Sequence, residues 1–147
     1  MLQPARRAAD TYTSVTAPTA DHPLVLVVDD DASICAAYQM ILGQQAYRVL
    51  TAGSRADAMR VIDEMNGQVS VLVLDIGLPD ADGGEVAREI HQRIGPRPTL
   101  YVSGWTDEFW NLSDAPTPWL VLQKPIPIPR LIGAIDYLAG RRDRPED

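Results

Sequence analysis

Short apolar segments without strict alternation are the feature that most restricts the fold of this chain. Strands that are apolar on both faces occur in the middle of a parallel sheet with helices on either side. Four segments are clear, and one at 47–52 is weaker: LVLVV (24–28), VSVLVL (69–74), TLYVS (99–103), WLVLQ (119–123) and YRVLTA (47–52). We therefore expect a five-stranded parallel sheet.

The segments between these strands carry apolar residues at helical spacing. The spacing predicts three helices that end near Gly43, Gly67 and Gly95, where glycine favours helix termination. A last helix accommodates Pro129 in its first turn, where a missing N–H is tolerated. Strands and helices therefore alternate along most of the chain.

One further helix would have to lie between the last two strands. Asp114, Pro116 and Pro118 leave room there for only two or three turns, so we expect this helix to be short or irregular. The resulting order, βαβαβαβ(α)βα, predicts an α/β fold with a doubly wound, five-stranded parallel sheet.

Composition limits the number of domains and the class of partner. A chain of 147 residues, 46% of them hydrophobic, buries one ordinary core. The formal charge of −7 argues against direct nucleic-acid binding, and no apolar run approaches the roughly 20 residues of a membrane-spanning helix. Because the single cysteine, Cys35, cannot form an intramolecular disulfide and no signal peptide is evident, we expect a cytoplasmic protein.

The two ends of the chain differ in composition from the part between them. Residues 1–22 are rich in Ala, Thr, Ser and Pro, without an apolar period, and predict a flexible N-terminal tail. Residues 141–147 are charged and poor in apolar side chains, and predict a C-terminal tail. The folded unit is therefore expected at 23–140.

Polar residues stand at the carboxyl ends of the predicted strands, where open parallel sheets bind ligands. Asp29, Asp30 and Asp31 follow the first strand, Asp75 ends the third, Ser103 ends the fourth and Lys124 ends the fifth. Two carboxylates 4 Å apart repel by about 4 kcal/mol at an effective dielectric near 20, which a bound cation relieves. Oxygen ligands favour Mg²⁺ over zinc, and a lysine and a hydroxyl beside the metal suit a phosphoryl group transferred to an aspartate.

Four sequence segments together resemble the receiver domain of two-component response regulators, the CheY-like family. They are LVLVVDDD, LVLDIGLPDADGGE, YVSG and LQKP, with Asp75 placed 45 residues after Asp30, Ser103 28 further on and Lys124 21 beyond that. Each segment alone is weak, but the combination and its order are specific. The resemblance covers about residues 24–140 and implies a flavodoxin-like (βα)5 fold.

The resemblance implies that Asp75 is the phosphoacceptor, which takes its phosphoryl group from a sensor histidine kinase or a histidine phosphotransfer protein. Asp29, Asp30 and Asp75 would hold Mg²⁺ or Mn²⁺ together with the backbone carbonyl of Gly77. A domain of this kind is no enzyme beyond catalysing its own aspartyl phosphorylation and dephosphorylation.

The resemblance also implies which residues meet the phosphoryl group. Ser103 would hydrogen-bond one of its oxygens, Gly104 would leave room beside it, and Lys124 would pair with Asp75 or its phosphate. The Lys124–Pro125 peptide bond is typically cis in the family, which would aim the lysine inward.

The sequence departs from the family at Val121, where many receivers carry an aromatic side chain that moves on phosphorylation. We therefore expect the switch to use other groups, with Trp105, Phe109, Trp110 and Val121 as a candidate signalling face. The alternative is that these aromatic side chains fill the core. Trp105 stands next to the expected phosphate position, so it would shield the acyl phosphate from water and slow self-dephosphorylation.

Simpler roles are expected for several other residues. Asp31 is better explained as a helix N-cap than as a ligand, and Asp82 is placed to cap the following helix. Cys35 and Met40 are expected to be packed in the first helix and not reactive, and His91 to lie on a helix surface.

Only seven residues follow Gly140, so the sequence resembles a stand-alone receiver that acts through protein contacts, although a fragment of a longer regulator or hybrid kinase would look the same. The partner would be a downstream protein or a second copy of the chain. Two alternatives belong to other classes. One is a phosphorylation-independent pseudo-receiver that only binds partners. The other is a haloacid-dehalogenase-type hydrolase, but the segment VVDDDAS of this chain is a poor match to the D-x-D motif of those enzymes.

Overall fold

The computed structural model describes residues 22–104, 115–116 and 118–145. Within them lie five strands and four helices: β1 (Leu24–Val28), α1 (Ala32–Gly43), β2 (Arg48–Ala52), α2 (Arg55–Glu64), β3 (Val71–Asp75), α3 (Gly83–Ile94), β4 (Thr99–Ser103), β5 (Trp119–Gln123) and α4 (Ile128–Leu138). The prediction of a short or irregular helix between β4 and β5 falls on a segment that lies mostly outside the described residues. The predicted flexible tail lies outside them as well, up to residue 21.

The five strands form one sheet in the order β2-β1-β3-β4-β5, and all four pairings are parallel. The predicted doubly wound parallel sheet is therefore confirmed. Strand order reverses at β1, whose two neighbours are β2 and β3, so the carboxyl ends of β1 and β3 lie side by side. Val28 is opposite Leu74, which places Asp29 next to Asp75 at this edge.

The sheet separates two apolar cores, and alternate residues of each central strand enter opposite cores. Leu24, Leu26 and Val28 of β1 pack with α2 and α3 on one face, whereas Val25 and Val27 pack with α1 and α4 on the other. All five residues of β1 are buried, as are all five of β3. Burial on both faces is the physical reason why these segments are apolar at consecutive positions.

Side chains that precede the helices satisfy their first free N–H groups. Asp31 accepts hydrogen bonds from the backbone N–H groups of Ser33 (2.9 Å) and Ile34 (3.2 Å) before α1, and Asp82 accepts from Gly84 (2.7 Å) in α3. Both predicted caps are confirmed. α3 ends at Gly95, whose φ of 90° is one that glycine adopts without strain.

Two predictions about individual side chains are wrong. Met40 is 63% exposed, because Tyr38 and Leu42, two positions away on either side, occupy the buried face of α1. His91 is buried and not on a helix surface: its Nε2 lies 3.2 Å from the hydroxyl oxygen of Thr99 at the start of β4. Cys35, by contrast, is buried as expected.

The segment that follows α4 contacts the turn between α1 and β2. The guanidinium of Arg141 donates to the carbonyl oxygens of Gln45 (2.6 Å) and Ala46 (3.1 Å) and lies 4.1 Å from the centre of the Tyr47 ring. Tyr47 in turn donates its hydroxyl hydrogen to Asp136 of α4 at 2.6 Å. These contacts join α4 and the segment after it to the turn that follows α1.

No helix in the described part of the chain is long and apolar enough to cross a bilayer.

Candidate functional site

Three carboxylates meet where β1 and β3 end. Asp29 follows β1 and is 3% exposed, Asp75 is the last residue of β3 and is 5% exposed, and Asp30 faces solvent. One carboxylate oxygen from each of the three lies within 4.8 Å of the other two. The adjacent strand ends of the parallel sheet thus bring together side chains that are 45 residues apart in the sequence.

A single lysine faces the two buried carboxylates. The Nζ atom of Lys124 lies 3.0 Å from Asp29 Oδ2 and 3.4 Å from Asp75 Oδ2, and the side chain is 26% exposed. The backbone N–H of Lys124 donates to the Ser103 carbonyl oxygen at 2.7 Å, which continues the β4–β5 pairing to the lysine. The Lys124–Pro125 peptide bond is cis, as the resemblance implied.

Backbone N–H groups hold the second oxygen of each buried carboxylate. Asp29 Oδ1 accepts a hydrogen bond from Asp31 N at 2.9 Å, and Asp75 Oδ1 accepts one from Gly77 N at 3.1 Å. Because the other oxygens face Lys124, both carboxylate groups are restrained in orientation before any ligand binds.

The loop after Asp75 returns close to the strand it leaves. Gly77 pairs with Asp82 in an isolated antiparallel bridge, and Gly83 N donates to the Ile76 carbonyl oxygen at 3.0 Å. A Cβ atom at position 83 would lie 2.4 Å from the carbonyl oxygen of Asp75, so no side chain fits there. The doubled glycine directly after Asp82 is the sequence signal of this close packing.

Burial is the largest influence on the ionisation of Asp75, and it raises the pKa of this carboxyl group. The negative charge of Asp29 adds to the rise, while the Gly77 N–H and Lys124 oppose it without cancelling it. Burial alone would lower the pKa of Lys124, but its hydrogen bond to Asp29 and the charges of Asp29 and Asp75 reverse this, so the pKa is raised.

The charge and chemistry of the cluster suit a divalent cation. Three carboxylates and one ammonium group leave a formal charge of −2, and two of the carboxylates are withdrawn from water. Hard oxygen donors of this kind favour Mg²⁺-like ions. Asp29, Asp30 and Asp75 could therefore hold a metal ion.

The other predicted site residues either lie apart from the described contacts of the carboxylate cluster or fall outside the described residues. Ser103 ends β4 at the same edge of the sheet, and its hydroxyl donates to the Gly104 carbonyl oxygen at 3.1 Å. Val121 lies in β5 and is 43% exposed. The predictions for Trp105, Phe109 and Trp110 fall outside the described residues.

Comparison with known proteins agrees with this geometry. A family profile described as "Response regulator receiver domain" matches residues 25–136. The chain is 26% identical over 120 residues to the sensor kinase CckA of Brucella abortus, and the matching region covers 81% of this chain and 13% of CckA. It is 40% identical over 91 residues to the transcriptional regulatory protein AruR of Pseudomonas aeruginosa, and that region covers 58% of this chain and 36% of AruR. The chain thus spans well under half the length of either relative.

Solved structures show the same fold. The crystal structure of a response regulator receiver domain protein from Clostridium thermocellum superposes with a TM-score of 0.72 at 24% identity, covering 81% of this chain and 95% of that chain. The likeness lies in the five-stranded parallel sheet and the helices on its two faces.

Proposed function

Because this chain belongs to the response regulator receiver domain family of two-component systems, we propose that it accepts a phosphoryl group on Asp75 and signals through protein contacts. One observation carries the proposal: the buried carboxylate of Asp75 lies 3.4 Å from Lys124 and within reach of the carboxylates of Asp29 and Asp30. The proposed nucleophile, Asp75, therefore lies next to the ammonium group of Lys124 and next to a cluster of carboxylates that suits a metal ion.

In the proposed reaction, a carboxylate oxygen of Asp75 attacks the phosphorus of a phosphohistidine on a sensor kinase or phosphotransfer protein. A P–O bond forms, the P–N bond breaks, and its electron pair returns to the imidazole ring of the donor. Lys124 faces the point of attack and offsets the negative charge of the phosphoryl oxygens. Asp29, which is held by Asp31 N–H, keeps Lys124 at this position.

Mg²⁺, or Mn²⁺ in its place, would be held by Asp29, Asp30, Asp75 and the Gly77 carbonyl oxygen, and would neutralise charge on the transferred group. Asp30 is the exposed member of the set and is reached from solvent. The formal charge of the cluster, which is uncompensated without a divalent ion, supports this assignment.

Ser103 and Gly104 are proposed to complete the phosphoryl site. The Ser103 hydroxyl would exchange the Gly104 carbonyl oxygen for a phosphoryl oxygen, and this exchange would report phosphorylation to the end of β4. Val121, exposed on β5, would form the signalling face with Trp105, Phe109 and Trp110. The proposed folded unit is residues 23–140, with a downstream protein or a second copy of the chain as partner.

Intact-mass measurement after incubation with Mg²⁺ and acetyl phosphate tests the proposal. We expect a gain of one phosphoryl group that is lost in Asp75→Asn and in the presence of a chelator. The absence of an adduct in the unmodified chain, under conditions that label another receiver domain, would refute phosphoacceptor function.

A further inference from the structure

The loop between β3 and α3 is joined to the start of α2 by one side chain. Asp80 Oδ1 accepts a hydrogen bond from Arg55 N at 3.0 Å, and Asp80 Oδ2 accepts one from Ala56 N at 3.4 Å. Asp80 is separated from these residues by 25 and 24 positions, so the contact connects two different elements of the fold.

The N-terminus of α2 has N–H groups that its own cap does not reach. The side chain of Ser54, the N-cap, accepts its hydrogen bond from Asp57 N at 3.1 Å and leaves the N–H groups of Arg55 and Ala56 to other acceptors. The first N–H groups of any helix lack partners within the helix, and a carboxylate at that end also meets the positive end of the helix dipole. Asp80 therefore supplies the acceptors for Arg55 and Ala56 from outside α2, and these hydrogen bonds lower the pKa of Asp80.

The same loop carries Gly77, whose carbonyl oxygen is the proposed backbone ligand of the metal. At its base, the loop is closed by the Gly77–Asp82 bridge, and Ile76 and Leu78 are buried in the core. Beyond Leu78 the chain turns outward: the Ala81 side chain packs against the core, and the exposed Asp80 side chain accepts hydrogen bonds from the start of α2. Two residues, Leu78 and Pro79, separate it from Gly77.

We propose that Asp80 is a positioning residue for the metal site: by joining the outer turn of the loop to the N-terminus of α2, it holds the Gly77 carbonyl oxygen where a divalent cation binds. The inference rests on the proposed function, because it gives Gly77 the role assigned there. Asp80 touches neither the cation nor the phosphoryl group.

A positioning role predicts a defined kinetic pattern. Loss of the Asp80 contact leaves Asp29, Asp30, Asp75 and Lys124 unchanged, so the acceptor and its charge partners remain. The cation then binds more weakly, and phosphorylation slows at limiting Mg²⁺ but recovers when Mg²⁺ is saturating.

Asp80→Ala removes both acceptors, and Asp80→Asn retains one. Arg55→Gln is the matched control. It removes the bidentate ion pair between Arg55 and Glu89, which joins α2 to α3. It keeps the backbone N–H of residue 55, from which Asp80 accepts its hydrogen bond. Calorimetry measures the Mg²⁺ affinity, and intact mass measures the rate of acetyl phosphate labelling as a function of Mg²⁺ concentration. NMR in chelator measures the hydrogen exchange of the Gly77 N–H. Thermal melts in chelator monitor folding.

We expect Asp80→Ala to weaken Mg²⁺ binding roughly tenfold, the lower range for lost outer partners of metal ligands. Gly77 N–H exchange should accelerate, and the labelling rate at saturating Mg²⁺ should stay within about twofold of the unmodified chain. Asp80→Asn should fall between the two, and Arg55→Gln should bind Mg²⁺ normally.

Unchanged Mg²⁺ affinity and Gly77 exchange in Asp80→Ala would overturn the inference while the unmodified chain is still labelled. Equal weakening in Arg55→Gln would also overturn it, because general contact between α2 and α3 would then be the cause. A failure of the unmodified chain to bind Mg²⁺ or to accept a phosphoryl group would instead remove the proposed function, and the inference with it.

Discussion

Replacing Gly83 with alanine should move the proposed phosphoacceptor without altering any polar side chain of the site. The added Cβ atom would lie 2.4 Å from the carbonyl oxygen of Asp75 and 2.7 Å from the Cα atom of Ile76. Both are backbone atoms, so no side-chain rotation relieves the contact. Even to reach 3.0 Å, the shortest separation such atoms tolerate, α3 and the end of β3 must part by about 0.6 Å.

The cost of such a shift follows from the packing on both sides. Inserting one carbon into a well-packed region typically costs about 1–3 kcal/mol, and Gly83, the first residue of α3, lies against the end of a strand with five buried residues. A displaced Asp75 also loses its 3.4 Å contact with Lys124 and its hydrogen bond from Gly77 N. We therefore expect a loss of about 2 kcal/mol in the free energy of unfolding and slower labelling of Asp75.

Urea unfolding in chelator measures the stability, and intact mass after acetyl phosphate treatment measures the labelling. Gly43→Ala is the control, because nothing lies within 4 Å of the added Cβ at this last position of α1. That change should stabilise by up to about 1 kcal/mol, since it restricts the unfolded chain. The steric reasoning fails if Gly83→Ala is as stable and as rapidly labelled as the unmodified chain.

Three further changes test the charges and hydrogen bonds. Asp75→Asn should raise the urea midpoint at pH 7 in chelator. Burial raises the pKa of Asp75 above its ordinary 3.8, so the folded state binds the proton more tightly than the unfolded chain does. The folded state of the unmodified chain therefore loses stability as the pH rises above 3.8. The gain should shrink towards pH 4 and on addition of Mg²⁺, and a lower midpoint at pH 7 would contradict it. Lys124→Gln should cost about 3 kcal/mol in chelator, because Asp29 and Asp75 then face each other without a cation. Mg²⁺ should recover much of that loss in a urea titration, and a loss that Mg²⁺ does not change would show that repulsion is not its cause. Tyr47→Phe should cost about 1.5 kcal/mol by urea unfolding, through loss of the 2.6 Å hydrogen bond to Asp136, and should leave labelling of Asp75 unchanged. Slower labelling would show that this contact acts on the site.

The sheet could be predicted because its cause is local. Burial on both faces demands apolar residues at consecutive positions, and β1, β4 and β5 have the predicted bounds. The apolar run of the third strand was predicted at 69–74 with Asp75 at its end, and the strand is Val71–Asp75, so it begins two residues later and includes the aspartate. Apolar pattern alone places the end of a strand only where polarity changes, whereas pairing with Val102 continues the strand through the aspartate.

The two errors for individual side chains have different origins. A histidine followed by Gln92 and Arg93 suggests an exposed position, but His91 is buried and its Nε2 meets the Thr99 hydroxyl, eight residues later. Met40 has the hydrophobicity of a core residue, but its angle around α1 relative to Tyr38 and Leu42 points it to solvent. The environment of His91 depends on a neighbour that sequence spacing does not specify, whereas the exposure of Met40 follows from its spacing to Tyr38 and Leu42.

The sequence by itself determined the class of fold, the caps at Asp31 and Asp82, and which polar residues stand at strand ends, because each follows from hydrogen bonding or burial within a few residues. Tertiary structure alone decided the distances: Lys124 reaches Asp29 across 95 positions, and Asp80 reaches Arg55 across 25. Such contacts depend on strand order and on the close approach at Gly83, which arise only when both faces of the sheet are packed at once.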